Sequence, residues 1–346
     1  MHLKPEFYNQ LTAAMYFFKD FAVLLYAYSI AMGGVAAAAS HCSQSVATAG
    51  GGQPNSILPA DISANAKNGL QFAHFLKNVQ VAFFNAGLKN LTEWGTSELR
   101  NDTMEIVSKI AAQEEVHASS IENILQLYNE TLVLPCNYSF PVTTSKEFFD
   151  LAHIITSVGI GATIGLNERL AITDPSLVKP VSSILTVESR HDAFLRHVRG
   201  AVPNPAPFDT GISPIWAYNL GLSFIQPGSC SVELPIPILP RLAVSQHSGA
   251  LYSNGTESKG TKEFMWDPTQ MPFVTEAGKP LCIGWVNQLQ KPVYTPLNII
   301  TKGRGTTDVP QGFNGVAFAV VTVQQPDDVN DLATAALAGP MAIALS

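Results

Sequence analysis

Two short segments with the same pattern constrain the fold more than any other feature. Residues 114–117 read E-E-V-H inside the apolar run 104–128, and residues 188–191 read E-S-R-H inside 181–199. On a helix, a Glu and a His three residues apart lie on one face, so both side chains can reach one ion. Two such pairs on two helices are half of a carboxylate-bridged dimetal site in a four-helix bundle, whose other helices each supply one further Glu.

Hydrophobic periodicity and capping signals predict four helices within residues 61–200. They run from Asp61 to about Leu88, from Ser97 or Asn101 to about Tyr128, onward from the capping box Thr144–Glu147, and from Pro175–Pro180 to Gly200. The paired motifs fall on the second and fourth helices, and the longest connection, residues 129–143, lies between the two helix pairs. This arrangement is typical of a ferritin-like bundle with one crossover connection.

Beyond the predicted bundle, the residue composition and the hydrophobic pattern of the sequence change. Residues 201–229 are rich in proline and predict an extended linker packed on the bundle, with a short helix at 216–225. Residues 230–346 predict a small antiparallel β-sandwich, because short alternating segments are separated by turn signals. The predicted strands are Glu233–Val244, Leu281–Leu289, Tyr294–Ile300, Val316–Gln324 and a last strand, Leu332–Leu345. The expected fold class is therefore α+β and multidomain.

The N-terminal residues predict export. Residues 21–38 are almost entirely apolar and end in small residues, so residues 1–39 are interpreted as a signal peptide, with an N-terminal membrane anchor as the alternative. Residues 40–60 are rich in Gly, Ser and Pro and predict a flexible arm. With 346 residues, the chain is long enough for two domains.

Cysteines and glycosylation sequons favour the same extracellular interpretation. The four cysteines lack the close spacing of a zinc site, so disulfides are predicted, with three pairings open; they are Cys42, Cys136, Cys230 and Cys282. Four buried thiols are the alternative. Five sequons predict N-glycosylation, at Asn90, Asn101, Asn129, Asn137 and Asn254.

Composition excludes several functional classes. The formal net charge is −7, and no cluster of Lys and Arg is present, so we expect no nucleic-acid partner. The sequence contains no G-x-S-x-G, P-loop or C-x-x-C motif. The glycine-rich run 159–165 lies inside a predicted helix with no strand before it, which indicates close helix packing and not a nucleotide loop. A membrane is a partner only if the N-terminal segment is retained.

Several segments resemble the secreted ferritin-like family of plant desiccation-related proteins and fungal stress-response or late-sexual-development proteins. The residues that carry the resemblance lie in 70–88, I-A-A-Q-E-E-V-H (110–117), C-N-Y-S-F-P-V (136–142), 183–196, F-D-T-G-I-S-P (208–214) and the L-A-G-P near the C-terminus. The resemblance extends from about residue 60 to the end. It implies the fold, and a role in stress or development, but no defined activity.

The departures from this family concern the metal ligands. The resemblance implies Glu at the positions held here by Lys77 and Gln80 in the first helix and by Thr156 in the third. The sequence itself has no acidic residue between Asp61 and Glu93. Two carboxylates and Lys77 sum to −1, so two divalent ions would leave about +3 in a buried site, which costs several kcal/mol per ion. The dimetal oxidase chemistry is therefore predicted to be lost, with Lys77 as a counter-ion to the two Glu residues.

Two further histidines lie near the vacated positions. His74 and His153 each precede one of them, Lys77 and Thr156 respectively, by one helical turn. A shifted ligand set that uses them is an alternative to ordinary core or surface histidines.

Three functional hypotheses follow. The leading one is a secreted, non-enzymatic glycoprotein of structural or protective function, with a degenerate metal site and no cofactor. The second is a protein that binds one divalent ion (Zn, Fe or Mn) through Glu114, His117, Glu188 and His191. The third is a module whose β-sandwich binds a cell wall or an extracellular protein.

Overall fold

The computed structural model describes residues 44–55, 58–94, 102–245, 252–253, 260–270 and 280–345. The predicted signal peptide or anchor (1–39), Cys42, Asn101 and Asn254 lie outside the described residues. The chain divides into two compact units, residues 1–52 and 53–346. In the first unit, residues 44–49 form a short helix where the sequence predicted a flexible arm. That helix ends at Gly50, which has a φ of +85° and donates its N–H to the carbonyl of Ala47.

Four long helices form the first part of the second unit. They are α1 (Ala64–Trp94), α2 (Thr103–Leu127), α3 (Ser145–Thr173) and α4 (Val178–Val198), with a 3-10 turn at Pro175–Leu177 before α4. The first two helices pack together, the last two pack together, and α1 against α3 joins the pairs. The crossover connection therefore lies between α2 and α3, as the sequence predicted.

The start of α3 is fixed by a local motif. Thr144 is the N-cap, and its hydroxyl accepts a hydrogen bond from the backbone N–H of Glu147 at 3.2 Å. The Glu147 carboxylate accepts the backbone N–H of Thr143 at 2.8 Å, so two otherwise unpaired donors at the helix start are satisfied.

α3 is the central helix of the bundle. By length and composition it is apolar enough to cross a membrane, but 83% of its apolar window is buried inside the protein, as in the core helix of a bundle. The sequence predicted that its glycines allow another helix to approach. In the structure, a Cβ on Gly161 would lie 2.5 Å from the carbonyl oxygen of Thr210, and one on Gly165 would lie 2.5 Å from that of Ile212. The close neighbour of these two glycines is thus the linker after the bundle.

The helix after α4 is α5 (Pro214–Leu222). A disulfide joins the crossover connection between α2 and α3 to the segment that follows α5. Cys136 pairs with Cys230, which is one of the links among the three pairings left open by the sequence. The sequence also predicted a disulfide for Cys282. Its thiol is instead free and buried, and it donates to the carbonyl of Thr322 at 3.3 Å, because the strand that carries it lies inside a sheet.

Two sheets follow the helices, which confirms the predicted fold class. The strands are β1 (Leu242–Val244), β2 (Tyr252–Ser253), β3 (Thr261–Trp266), β4 (Cys282–Val286), β5 (Val293–Pro296), β6 (Asn298–Thr301), β7 (Arg304–Asp308), β8 (Val316–Thr322) and β9 (Ala338–Ala344). A four-stranded sheet has the order β1-β3-β7-β6, and a five-stranded sheet has the order β2-β9-β8-β4-β5. All pairs are antiparallel except the short pair β2–β9.

The five-stranded sheet is buried on both faces. In β8, Phe318 and Val320 pack into the core that includes the bundle, whereas Ala317, Ala319 and Val321 pack against the other sheet. Successive side chains of a strand point to opposite faces, so a strand between two apolar layers needs an unbroken apolar run. The molecule from residue 53 onward is therefore layered as helices, five-stranded sheet and four-stranded sheet, with one core running from the bundle into the first sheet.

The predicted strands differ from the observed ones in several places. Tyr294–Ile300 was expected to form one strand, but it is divided between β5 and β6, which lie in different sheets, and β3 and β7 were not predicted. Residues 332–345 were expected to form one strand, but Val329–Ala335 is a helix, α6, that precedes β9. Asp328 causes this by capping α6, since its carboxylate accepts the backbone N–H groups of Asn330 and Asp331. In the predicted strand Glu233–Val244, only the last three residues pair in a sheet.

Candidate metal centre

The two Glu-x-x-His pairs meet in the interior of the bundle. Glu114 and His117 lie on α2, Glu188 and His191 lie on α4, and both carboxylates are fully buried. One donor atom each of Glu114, Glu188 and His191 lies within 4.8 Å of the other two, a spacing that can hold one metal ion. The Nδ1 atom of His117 lies 3.2 Å from Oε1 of Glu188 and 3.7 Å from Oε2 of Glu114, without hydrogen-bond geometry to either.

Lys77 lies between the two carboxylates. Its Nζ atom donates to Oε2 of Glu114 at 2.9 Å and to Oε1 of Glu188 at 2.5 Å, and the side chain is only 7% exposed. An ammonium has three donors and no acceptor, so it satisfies carboxylates and repels a cation. The lysine that α1 carries in place of an acid therefore occupies the space between the groups that would bind a metal.

The other two vacated positions carry neutral polar groups. Gln80 donates through Nε2 to Oε2 of Glu188 at 3.1 Å, and a Cβ on Gly159 would lie 2.9 Å from the same nitrogen. Thr156 is completely buried, and neither its hydroxyl nor Oε1 of Gln80 finds a hydrogen-bond partner within the described part of the chain. Neither residue supplies a negative charge, and each leaves one buried polar atom without a hydrogen-bond partner in the described part of the chain.

His191 connects the centre to a residue that sequence reasoning missed. Its Nδ1 atom lies 3.2 Å from Oε1 of Glu114, and its Nε2 atom lies 2.7 Å from Oε1 of Gln113. Gln113 directly precedes the first motif, on the same helix as Glu114. The only signal in the sequence was that Gln113 is polar and stands next to the motif. That signal does not specify which residue of α4 it contacts.

The charges of the centre compensate one another. Burial acts to lower the pKa of Lys77, but the two carboxylates outweigh it and raise the pKa. Burial acts to raise the pKa of Glu114, but Lys77 and the neighbouring histidines hold this pKa well below its usual range. For Glu188, burial and the charge of Glu114 act to raise the pKa, but Lys77 and His117 outweigh them, so the pKa is lowered. The cluster is therefore a lysine ammonium between two carboxylates.

His117 lies against both carboxylates of the cluster. Burial alone would lower the pKa of its imidazole, but contact with Glu114 and Glu188 raises it above the usual value. Two carboxylates and one ammonium sum to −1, and a protonated His117 brings the cluster to zero. A charge-neutral cluster is what a site of low dielectric requires.

The two additional histidines lie apart from this cluster. His74 is buried on α1, burial lowers its pKa, and its Nδ1 atom has no partner in the described structure. His153 on α3 uses both ring nitrogens, Nδ1 with Asp192 at 2.6 Å and Nε2 with Arg196 at 3.1 Å. The structure therefore does not bring the two histidines together as a shifted ligand set.

Comparison with known proteins agrees with the geometry. Residues 66–201 match the family model described as a ferritin-like domain. The helical part of this chain therefore has a ferritin-like fold and is similar to this family. The chain is also similar to Protein rds1 of Schizosaccharomyces pombe (strain 972 / ATCC 24843), with 24% identity over an alignment of 324 positions, and the alignment covers 79% of each protein.

The residues of this helical bundle do not fit the two metal ions of the dimetal bundles. Such a centre needs two lone carboxylates besides the two Glu-x-x-His motifs, and here those positions hold Lys77 or Gln80 on α1 and Thr156 on α3. The ammonium of Lys77 also contacts both remaining carboxylates. A single ion fits Glu114, Glu188 and His191 only if Lys77 first leaves them.

Proposed function

We propose that this chain is a secreted, non-enzymatic glycoprotein with a structural or protective role, and that its ferritin-like domain has exchanged metal chemistry for an internal ion-pair cluster. The observation that carries the proposal is the position of the Lys77 ammonium between Glu114 and Glu188. An ion at this place would meet a positive charge and only two carboxylates. A dimetal oxidase needs an open coordination position and a charge-balanced pair of ions, and this cluster offers neither.

Two features of the surface support an extracellular location. A disulfide closes the chain between Cys136 and Cys230, and disulfides persist in oxidising compartments. The sequons at Asn129 and Asn137 are exposed, so both side chains are accessible for glycosylation. The resemblance to desiccation-related and fungal stress-response proteins supports a role in stress or development.

Metal content tests the proposal directly. The full chain, secreted from a eukaryotic host, is incubated with Fe(II), Mn(II) or Zn(II), separated from free ions, and analysed by elemental mass spectrometry. Two variants accompany it: Glu114→Ala/Glu188→Ala removes the buried carboxylates, and Glu93→Ala/Glu105→Ala removes two exposed ones as a matched control. We expect metal at background in all three proteins and no effect of a chelator on the melting temperature.

A second candidate is a mononuclear metalloprotein. It is favoured by the buried cluster of Glu114, Glu188 and His191, whose donor atoms have the spacing of a metal site. Imidazole and carboxylate ligands suit Zn, Fe or Mn. About one ion per chain, lost in the Glu114→Ala/Glu188→Ala variant but kept in the surface control, would establish this candidate and refute the first.

A further inference from the structure

A second polar site lies on the other side of the α3–α4 pair, where the bundle meets the linker and the five-stranded sheet. It is a cavity of about 200 Å³. One face of α3 lines it with His153, Ser157 and Ile160, and one face of α4 lines it with Ser189, Asp192, Ala193 and Arg196. The linker 203–210 and residues 314–318 complete the wall. Cavities between layers of a fold are common places for small ligands.

The floor of the cavity is a connected group of buried charges. Arg196 is fully buried and donates through Nη1 to Nε2 of His153 at 3.1 Å. Since arginine only donates, Nε2 accepts, and His153 donates through Nδ1 to Oδ1 of Asp192 at 2.6 Å. The second oxygen of Asp192 has no hydrogen-bond donor among the described residues, so it remains an acceptor for a ligand.

The linker that covers the cavity is hydrogen-bonded to the helices and to the sheet. Arg196 donates through Nε to the carbonyl of Val202 at 2.7 Å, and Ile212 donates its N–H to the carbonyl of Gly161 at 3.1 Å. Thr210 donates to the carbonyl of Val316 at 3.0 Å. The linker is therefore fixed to α3, α4 and β8, so the cavity is a built feature and not a gap under a loose loop.

The charges around the cavity select a neutral ligand. Arg196 opposes a cation. Asp192 and Asp209 oppose an anion, because these two carboxylates line the cavity with only one guanidinium, that of Arg196. Serine hydroxyls, carboxylates and the amide of Asn204 offer both donors and acceptors. Hydroxyl groups of a ligand match such a mixture, because each both donates and accepts.

The apolar part of the wall suits a ring. Pro203, Pro205 and Phe208 lie on the linker side, and Phe208 is 55% exposed, so the cavity reaches solvent. An engineered cavity of about 150 Å³ holds benzene. A cavity of about 200 Å³ therefore accommodates one six-membered ring with its hydroxyl substituents.

We propose that this cavity binds one neutral sugar ring, presented either as a free monosaccharide or as the end of a glycan. Asp192 and Asp209 accept hydrogen bonds from its hydroxyl groups, and Phe208 and the prolines cover its apolar face. The site is separate from the Lys77 cluster and does not depend on the proposed loss of metal chemistry.

Ligand-detected saturation-transfer NMR on the full chain, treated with an endoglycosidase, tests the proposal. The probes are D-mannose, D-glucose and N-acetyl-D-glucosamine, with the cationic D-glucosamine and the anionic D-glucuronate as charged counterparts and mannotriose as a glycan end. We expect at least one neutral probe to bind with a Kd of about 1 mM or below, and both charged probes to bind more weakly. Stronger binding of mannotriose than of mannose assigns the ligand to a glycan end, and the reverse assigns it to the free sugar.

Variants locate the binding. Ala193→Phe fills the cavity and should weaken binding at least about tenfold, whereas Ala86→Phe, on the exposed face of α1, should leave it unchanged. If Ala193→Phe fails to fold, Asp209→Asn at the cavity rim should still weaken binding about tenfold, against the exposed control Asp327→Asn. The proposal is overturned if no neutral probe binds, if a charged probe binds best, or if binding survives in a folded Ala193→Phe or Asp209→Asn variant.

Discussion

Replacing Lys77 by methionine tests the central electrostatic claim. The change keeps the length and volume of the side chain and removes the charge that contacts both buried carboxylates. The donor oxygens of Glu114 and Glu188 lie within 4.8 Å of each other. At an effective dielectric of about 20, two unit charges at that distance repel by about 3 kcal/mol. Removal of one member of a buried ion pair costs about 3 to 5 kcal/mol, so we expect a loss of that size.

Thermal unfolding followed by circular dichroism measures this loss. At about 2 to 4 °C per kcal/mol, the melting temperature should fall by about 6 to 20 °C. The loss should also depend on pH. In the Lys77→Met variant, burial and mutual repulsion raise the carboxylate pKa values above the unfolded value of about 4.3. The folded variant then binds more protons than the unfolded chain, so its stability falls as the pH rises from about 5 to 8.

The wild-type protein should behave in the opposite way below neutral pH. The pKa values of Glu114 and Glu188 are lowered on folding, so their contribution is complete above the unfolded value of about 4.3 and is lost as the pH falls through the folded values. The pKa of Lys77 is raised, so its contribution is complete below the unfolded value of about 10.4 and is lost only as the pH rises through the folded value.

Two further variants separate charge from packing. Lys89→Met makes the same substitution at an exposed position of α1 and should change stability by less than about 0.5 kcal/mol. Adding Glu114→Gln and Glu188→Gln to Lys77→Met removes the two uncompensated charges and should restore most of the loss. The electrostatic reasoning is refuted if Lys77→Met is no less stable than Lys89→Met, or if its stability rises with pH between about 5 and 8.

Three further perturbations test the framework around the cluster. Loss of the disulfide in a Cys136→Ser/Cys230→Ser variant should cost about 4 kcal/mol, measured as a lower denaturation midpoint that reducing agent does not lower further. Gly161→Ala should cost about 1 to 3 kcal/mol, because the new Cβ would meet the carbonyl oxygen of Thr210, and an unchanged melting curve would contradict that close approach. Thr144→Ala removes the cap of α3 and should cost about 1 kcal/mol in the same assay.

Local signals in the sequence predicted the helical half well. The capping box at Thr144 and the apolar periodicity of residues 104–128 are short-range features, and the helices they indicate are present. The end of α1 was predicted at about Leu88 but lies at Trp94. The residues between include Asn90 and Thr92, which are weak helix formers, and tertiary packing of Leu91 in the core overrides that weakness.

The sheets were harder to predict because their contacts are distant in sequence. The short pair between Tyr252–Ser253 and β9 joins residues about ninety positions apart, and no local pattern specifies it. α6 had a usable signal, since Asp328 precedes an apolar turn as an N-cap would. The apolar run that follows Asp328 favoured a strand, so the helix α6 was not predicted.

For the candidate centre, the sequence predicted the charges but not the contacts between side chains. No acidic residue lies between Asp61 and Glu93 or between Asp150 and Glu168, and these two gaps in the sequence indicated a changed site. The contacts of His191 with Gln113 and of His153 with Arg196 depend on how α4 is rotated against its neighbours. Hydrophobic periodicity predicts only which broad face of a helix is buried. It does not predict which polar residues on that face contact a neighbouring helix.

The cluster shows how one lysine compensates two buried carboxylates in this fold. Two facing carboxylates in a buried site need positive charge, and a bundle that loses its metal ligands on α1 and α3 keeps that need on α2 and α4. Lys77 meets it with one ammonium that contacts both carboxylates, and the same carboxylates raise the pKa of His117 against the effect of burial. Loss of the lone acids without gain of the lysine would leave the two carboxylates uncompensated at a cost of several kcal/mol. Lys77 therefore lies where an ion held by the two Glu-x-x-His motifs would lie, and it compensates the charge of Glu114 and Glu188.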